Sequence, residues 1–411
     1  MKKTINLILS LLLLLIYGCT EPYGLQTETF ESAIVVEATL TDEYKHQEIK
    51  LSRTYRLEED GPDIEVGAVV YVTDSNGNQY NFTGSGDKYV SQQAFAAVPD
   101  VNYQLHIITA DGKTYTSSNE KINSLTNIDD VTVTEGLNNN GERGVQILVN
   151  STKTTTNNEY YRYYYEETHK VIAPQWIPER GVAFYYDPPP AFSPIIGEVH
   201  VEPWPYEAKT CYSTAKSQEI LISNTALNST NNTVDLIRFI KVDDYKIANR
   251  YSIKVTMYNE SQESYNFYDA LKKISSTGSL LSQNQPGFFS GNIKNQANPT
   301  EKVIGFFDVA HISTQRIFFN FETIFPNDPK PPYPYDCPPI NAFNELEYTF
   351  NMCFSFPGTS SDCQGEFILN TLDLRIKTLY KFGRDKIMLV NSQCGDCTIF
   401  SSNVRPTFWV D

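Results

Sequence analysis

From Glu31 onward the chain alternates apolar and polar residues in short runs divided by turn residues. Residues 31–40 (ESAIVVEATL), 47–55 (QEIKLSRTY) and 66–73 (VGAVVYVT) carry the two-residue period of half-buried strands. Asp74-Ser75-Asn76-Gly77-Asn78 follows, then Gln79 to Thr83. Asn-Gly between two such runs predicts a tight hairpin, because both residues tolerate positive φ. Further strands are expected near 87–92 and 101–109, and Asp111-Gly112 turns the chain into Lys113–Ser117. Strands recurring about every 8–12 residues predict an Ig-like β-sandwich over residues 31–122.

The remainder, 123–411, reads as a larger β-rich domain with one short helix and a cysteine-containing C-terminal region. Strands are expected at 127–135, 144–151, 158–168, 218–223, 234–242, 250–258, 302–309, 315–321, 345–354 and 365–378. Asn158 to Glu167 reads as a strand that is aromatic on both faces. Ser261 to Ser276 is the one helical pattern. Tyr265, Tyr268, Ala270, Leu271 and Ile274 share a face, Glu263 sits in the first turn, Lys272 and Lys273 lie near the end, and Gly278 stops it.

Two segments break the strand rhythm. Residues 174–206 and 326–339 hold fifteen of the 22 prolines, together with many aromatic residues. Proline cannot donate to a ladder, so both are expected as loops or edges. One reading makes them semi-rigid covering loops. The other makes them a preordered aromatic surface that loses little entropy on binding. Trp176, Trp204, Tyr333 and Tyr335 are the binding-surface candidates.

The first thirty residues address location rather than fold. Lys2 and Lys3 precede the apolar run Ile5 to Ile16, which is shorter than the ~20 residues of a bilayer span. It ends in Gly18-Cys19, a small residue before a cysteine that can receive diacylglycerol. Residues 1–18 are therefore expected to be a lipoprotein signal peptide, Cys19 the lipidated residue, and 19–30 a tether. Tyr17 departs from the usual small residue there, so the competing readings are an ordinary signal peptide or an uncleaved anchor. Removing Lys2 and Lys3 takes the formal charge from −16 to −18, which argues against nucleic acid and against a basic lipid-binding patch.

Seven cysteines less Cys19 leave Cys211, Cys337, Cys353, Cys363, Cys394 and Cys397. In an exported chain these six are disulfide candidates. A structural zinc on the last four is the alternative, against the loose spacing and an oxidising compartment. Cys353 and Cys363 bracket a short loop suited to a local bridge. Cys211 and Cys337 each adjoin a proline-rich segment, so a bridge between them would pin both. Cys394-Gly395-Asp396-Cys397 has strand-like flanks rather than the strand-then-helix setting of a redox pair, which favours a structural role.

No catalytic constellation emerges from the sequence, and no metal or other cofactor is expected. His46, His106, His169, His200 and His311 are scattered, and neither a G-x-S-x-G elbow nor a Walker loop is present. The Asp74 loop lacks the later carboxylates of a calcium loop. Acidic doublets such as Asp129-Asp130, Glu166-Glu167 and Asp243-Asp244 read as solvated strand ends, because neighbours on a strand face opposite ways.

Several stretches together resemble a known family. They are Thr20-Glu21-Pro22, Tyr89-Val90-Ser91, Tyr103 to Ile107, Asp111 to Ser117, Tyr160 to Glu167, Cys211-Tyr212, Pro286 to Ile293, Val303 to Phe307, and Cys394 to Trp409. In this order the chain resembles the Bacteroidota outer-membrane lipoproteins with domain of unknown function forty-two forty-nine. The resemblance implies a non-enzymatic accessory or ligand-binding partner of a TonB-dependent receptor, lipid-anchored in the outer membrane and facing outward. It carries over no catalytic residues. The alternatives are a surface hydrolase acting on peptide or glycan, and a structural or adhesive envelope protein. Thr398 to Ser402 departs from the glycine pair that relatives often carry after the second cysteine.

If Cys19 is the lipidated residue, Cys19→Ala leaves an unacylated precursor. Metabolic labelling with a palmitate analogue should then fall to background. Undiminished labelling of that variant would make the lipoprotein reading wrong.

Overall fold

A computed structural model describes residues 32–55, 61–186, 197–226, 230–276, 291–339, 347–349, 365–383 and 386–411. The signal peptide, Cys19, the tether, Cys353 and Cys363 lie outside the described residues.

The chain is mainly β, as the alternation predicts. The N-terminal strands are β1 (Ile34–Thr41), β2 (Glu48–Arg53), β3 (Val69–Asp74), β4 (Gln79–Ser85), β5 (Lys88–Ser91), β6 (Tyr103–Ile108) and β7 (Thr114–Ser117). They pair in the order β1-β2-β5-β4-β3-β6-β7, and one face of every strand lines a single core. The Asn-Gly hairpin forms between β3 and β4. Gly77 takes φ 88°, and the Asp74 carboxylate accepts the amides of Asn76 and Asn78 at 2.9 Å.

Next come β8 (Ile128–Leu137), β9 (Arg143–Thr152), β10 (Tyr160–Ile172), β11 (Glu179–Tyr185), β12 (Gly197–Pro203), β13 (Thr210–Lys216), β14 (Leu221–Asn224), β15 (Asn232–Lys241) and β16 (Arg250–Glu260). Helix α1 (Gln262–Ser276) follows where the sequence predicts it. After it lie β17 (Ile293–Asn295) and β18 (Val303–Asn320). The expected separate strands 302–309 and 315–321 are one long strand, because the residues between them also keep extended pairing.

β18 joins the two halves of the molecule. Its first part, Val303 to Ala310, pairs in parallel with β1. Its second part, His311 to Asn320, pairs antiparallel with β16. β17 likewise pairs with β7. A 13-stranded sheet thus runs from β13 through β10, β16, β18 and β1 to β17, with β14 beside β10. Residues 293–310 therefore complete the core built by strands 34–117. Gly305 permits the close approach at the join: at φ 136°, a Cβ there would lie 2.0 Å from the Val36 carbonyl oxygen.

The second core lies between the sheet β15-β9-β8 and strands β10, β16 and β18. Tyr161, Tyr163 and Tyr251 are buried in it, with hydroxyls bonded to Glu159, Asp235 and Glu167. A short helix α2 (Phe321–Ile324) closes one end with Phe321 and Phe325. The third unit contains β19 (Glu347–Thr349), helix α3 (Gly365–Asp373), β20 (Lys377–Phe382), β21 (Lys386–Asn391) and a short helix α4 (Ser392–Gly395). Here the expected strand 365–378 is corrected. It divides into α3 and β20, and Ile368, Leu369 and Leu372 bury one helical face against Val199, Leu379 and Leu389. Residues 174–206 are also more than loop, since β11 and β12 form a separate hairpin.

One charged cluster is sealed at the seam between the first two cores. The Arg162 guanidinium pairs with Glu260 and lies over the rings of Tyr268, Tyr258 and Tyr164 at 4.2, 4.9 and 5.1 Å. Asp308 of β18 is fully buried nearby. One oxygen accepts the Val309 amide at 2.9 Å. Burial, reinforced by the Glu260 charge, pushes the Asp308 carboxyl up to about 8. Asp308 therefore stays protonated at neutral pH, while an unfolded chain releases that proton near pH 3.8.

A raised carboxyl makes the folded state lose stability as pH rises, until about pH 8. His169, which burial holds down to about 4, acts in the opposite sense only below its ordinary 6.5. Asp308→Asn, which mimics the protonated acid, should flatten the stability profile between about pH 6.5 and 8. Urea unfolding across that window checks this, and an unchanged slope refutes it.

Candidate functional site

The proline–aromatic segments meet at the Cys394-Gly395-Asp396-Cys397 turn. Cys211 of β13 is bonded to Cys397, and Cys337 to Cys394, with Cα separations of 5.8 and 5.7 Å. The expected Cys211–Cys337 bridge does not form. β13 runs beside the C-terminal stretch through the Tyr212–Ser402 bridge, which sets Cys211 against Cys397 and leaves Cys394 for Cys337. A zinc on the last four cysteines is excluded too, because Cys394 and Cys397 are oxidised. The structural role expected for the C-x-x-C pair holds, in an unexpected form: each cysteine takes a different distant partner.

The effect sought from the wrong bridge is nevertheless present. Two cysteines three positions apart bring Cys211 and Cys337 to one turn. The two proline-rich segments also touch directly, as Gln175 donates from its side chain to the Pro338 carbonyl at 2.7 Å and from its backbone to Cys394 at 2.9 Å. Asp396, at the centre, is buried. One carboxylate oxygen caps the Thr398 amide at 2.9 Å. The other accepts from Arg375 at 2.7 Å and from the Tyr206 hydroxyl at 3.2 Å.

The four candidate rings fall into two groups. Trp176 and Tyr333 are half-buried against Val171, Ala173, Cys211 and Cys397, with Phe400 beside them. Tyr333 donates to the Gln393 carbonyl at 2.9 Å. Tyr335 packs its ring 4.8 Å from Phe400 and stays 40% exposed. Trp204 lies apart from these, its indole donating to the Ile177 carbonyl at 2.9 Å and its ring 5.5 Å from that of Tyr206. The segments therefore share one side of the molecule, and their rings are partly spent on packing.

Among the cavities that flank the turn, two adjoin the proline–aromatic segments. One, of about 320 Å³, lies between Val171, Ile172, Tyr245, Pro331 and Tyr333. The other, of about 280 Å³, is lined by Trp204, Tyr206, Arg180, Arg375, Lys377 and Asp373 among others. No pattern along the chain points to the second. Asp373, Arg375 and Lys377 come from one short stretch, but Arg180, Trp204 and Tyr206 lie far from it along the chain and meet it only through α3, β20 and the disulfide turn. A wider groove of about 680 Å³ runs between β1, β2 and α1.

Among the described residues no group of three or more His, Cys, Asp or Glu side chains is placed to hold a metal ion. The acidic doublet Glu166-Glu167 divides across its strand: Glu166 pairs with Arg316, and Glu167 is buried with Arg238, Lys246 and Tyr251.

The fold and this site define a β-rich protein whose C-terminal face is cross-linked into a rigid aromatic surface. The chain belongs to the family described as Domain of unknown function (DUF4249), whose profile matches residues 20–316. The match ends within β18, so the disulfide turn lies beyond it. No curated relative matches the chain.

The pairing is directly testable. Non-reducing peptide mapping should recover 211–397 and 337–394 linked peptides. Cys337→Ser should release a Cys394 thiol, leave the other bridge intact, and cost about 2–5 kcal/mol of stability. A 211–337 linkage would overturn this assignment.

Proposed function

We propose that the protein is a lipid-anchored, non-enzymatic binding protein of the outer membrane that works with a TonB-dependent receptor. The observation that carries this reading is the aromatic–proline face, built from two distant segments and locked by two disulfides onto one turn. Stiff Tyr and Trp side chains offer contact area at low entropic cost and dominate the energetics of interfaces. Anchoring through Cys19 would hold that face at the membrane surface. Among the described residues no helix is long and apolar enough to cross a bilayer, so a lipid on Cys19 supplies the attachment in this reading.

Pull-down of the tagged protein from mildly solubilised envelopes should recover a large β-barrel receptor. Tyr335→Ala should reduce that recovery severalfold at unchanged melting temperature, because this ring is the most exposed of the four. Trp176→Ala and Tyr333→Ala should lower both recovery and stability, because those rings also pack on the disulfide core. Recovery of no barrel would count against the receptor partnership.

A further inference from the structure

The cavity beside Trp204 contains an arginine where a glycine would ordinarily stand. Helix α3 ends with the Ile376 amide bonded to the Thr371 carbonyl and the Arg375 amide to that of Leu372. That closure calls for a left-handed residue, usually glycine, and Arg375 takes it at φ 54°. A non-glycine residue there carries a conformational cost, and such outliers cluster at functional positions. The conformation turns the Arg375 guanidinium toward Asp396 and Tyr206 while leaving the side chain 55% exposed.

The other walls are complementary in kind. Lys377 forms no ion pair among the described residues, whereas Arg180 is paired with Glu202. Trp204 and Tyr206 hold fixed rings at an interplanar angle of 63°. Asp373 is an exposed acceptor at the edge. On a chain of net charge −16, diffuse attraction of anions is disfavoured, so any anion bound here is held by these local cations.

We propose that this cavity binds a single sugar ring carrying a carboxylate. Its volume of about 280 Å³, at the small end of the ~300–1,000 Å³ usual for drug-sized ligands, suits about one ring. Arg375 and Lys377 supply charge-assisted bonds to a carboxylate. Trp204 and Tyr206 offer apolar ring faces to the C–H face of the sugar. Asp373 accepts from ring hydroxyls. An apolar side chain in the same place would leave that carboxylate desolvated and unpaired. The assignment rests on the reading of this face as a binding surface, and it needs no receptor.

The test uses the purified full-length chain in detergent, titrated calorimetrically with D-glucuronate, D-glucose, acetate and a short peptide bearing a free C-terminal carboxylate. Glucuronate should bind, with glucose and acetate each weaker by about tenfold or more. Lys377→Ala should weaken glucuronate by about tenfold at unchanged melting temperature, and Lys377→Arg should restore most of it. The proposal is overturned if glucose binds as well as glucuronate, if acetate alone suffices, if the peptide binds more tightly, if none binds, or if Lys377→Ala has no effect. Receptor recovery is read separately: its loss with glucuronate binding intact would remove the receptor partnership and leave the sugar site standing.

Discussion

The first two cores of the molecule depend on the backbone pairing of β18. One strand of 18 residues contributes Val303, Phe307 and Val309 to the first core and Phe319 to the second. Its parallel ladder to β1 and antiparallel ladder to β16 make a single sheet of what would otherwise be two separate sets of strands. Parallel pairing requires a long excursion of the chain. The whole second core up to α1 is that excursion, so closing the first unit requires folding much of the second. Gly305 is the local condition for the join, because a side chain there would collide with β1.

The cost of that arrangement is visible at the seam. Where the strands meet, Arg162, Glu260 and Asp308 are removed from water. Such a cluster gains little net stability over an apolar core, yet it becomes strongly unfavourable if one member is lost. Three tyrosine rings around the guanidinium and a proton retained on Asp308 balance the charges. The seam is thereby defined by its polar partners as well as by packing.

The disulfide turn plays a comparable part at the far end. Its two cysteines reach back 186 and 57 residues, so a four-residue motif ties β13, the proline-rich segment and the third unit together. Asp396 between them caps the following turn and receives Arg375 and Tyr206. The rigidity of the aromatic face and the shape of the small cavity share this one cause.

Much of this organisation was legible in the residues. Two-residue alternation marked the N-terminal strands, Asn76-Gly77 marked a hairpin, and a broad apolar face with charged ends marked helix α1. Concentrated proline and aromatic residues marked the segments that do lie together. Local chemistry determines these features, so a local reading finds them. It failed at 365–378, where a short apolar run fits either period and packing against β12, β20 and β21 selects a helix first. It failed for the bridges as well, because cysteine pairing follows which strands run side by side, and the Tyr212–Ser402 contact joins residues 190 apart. The cavity of Trp204, Arg375 and Lys377 was invisible for the same reason. The residue types were written in the sequence, but their distances were set by long-range strand pairing and disulfide closure, which no local pattern encodes.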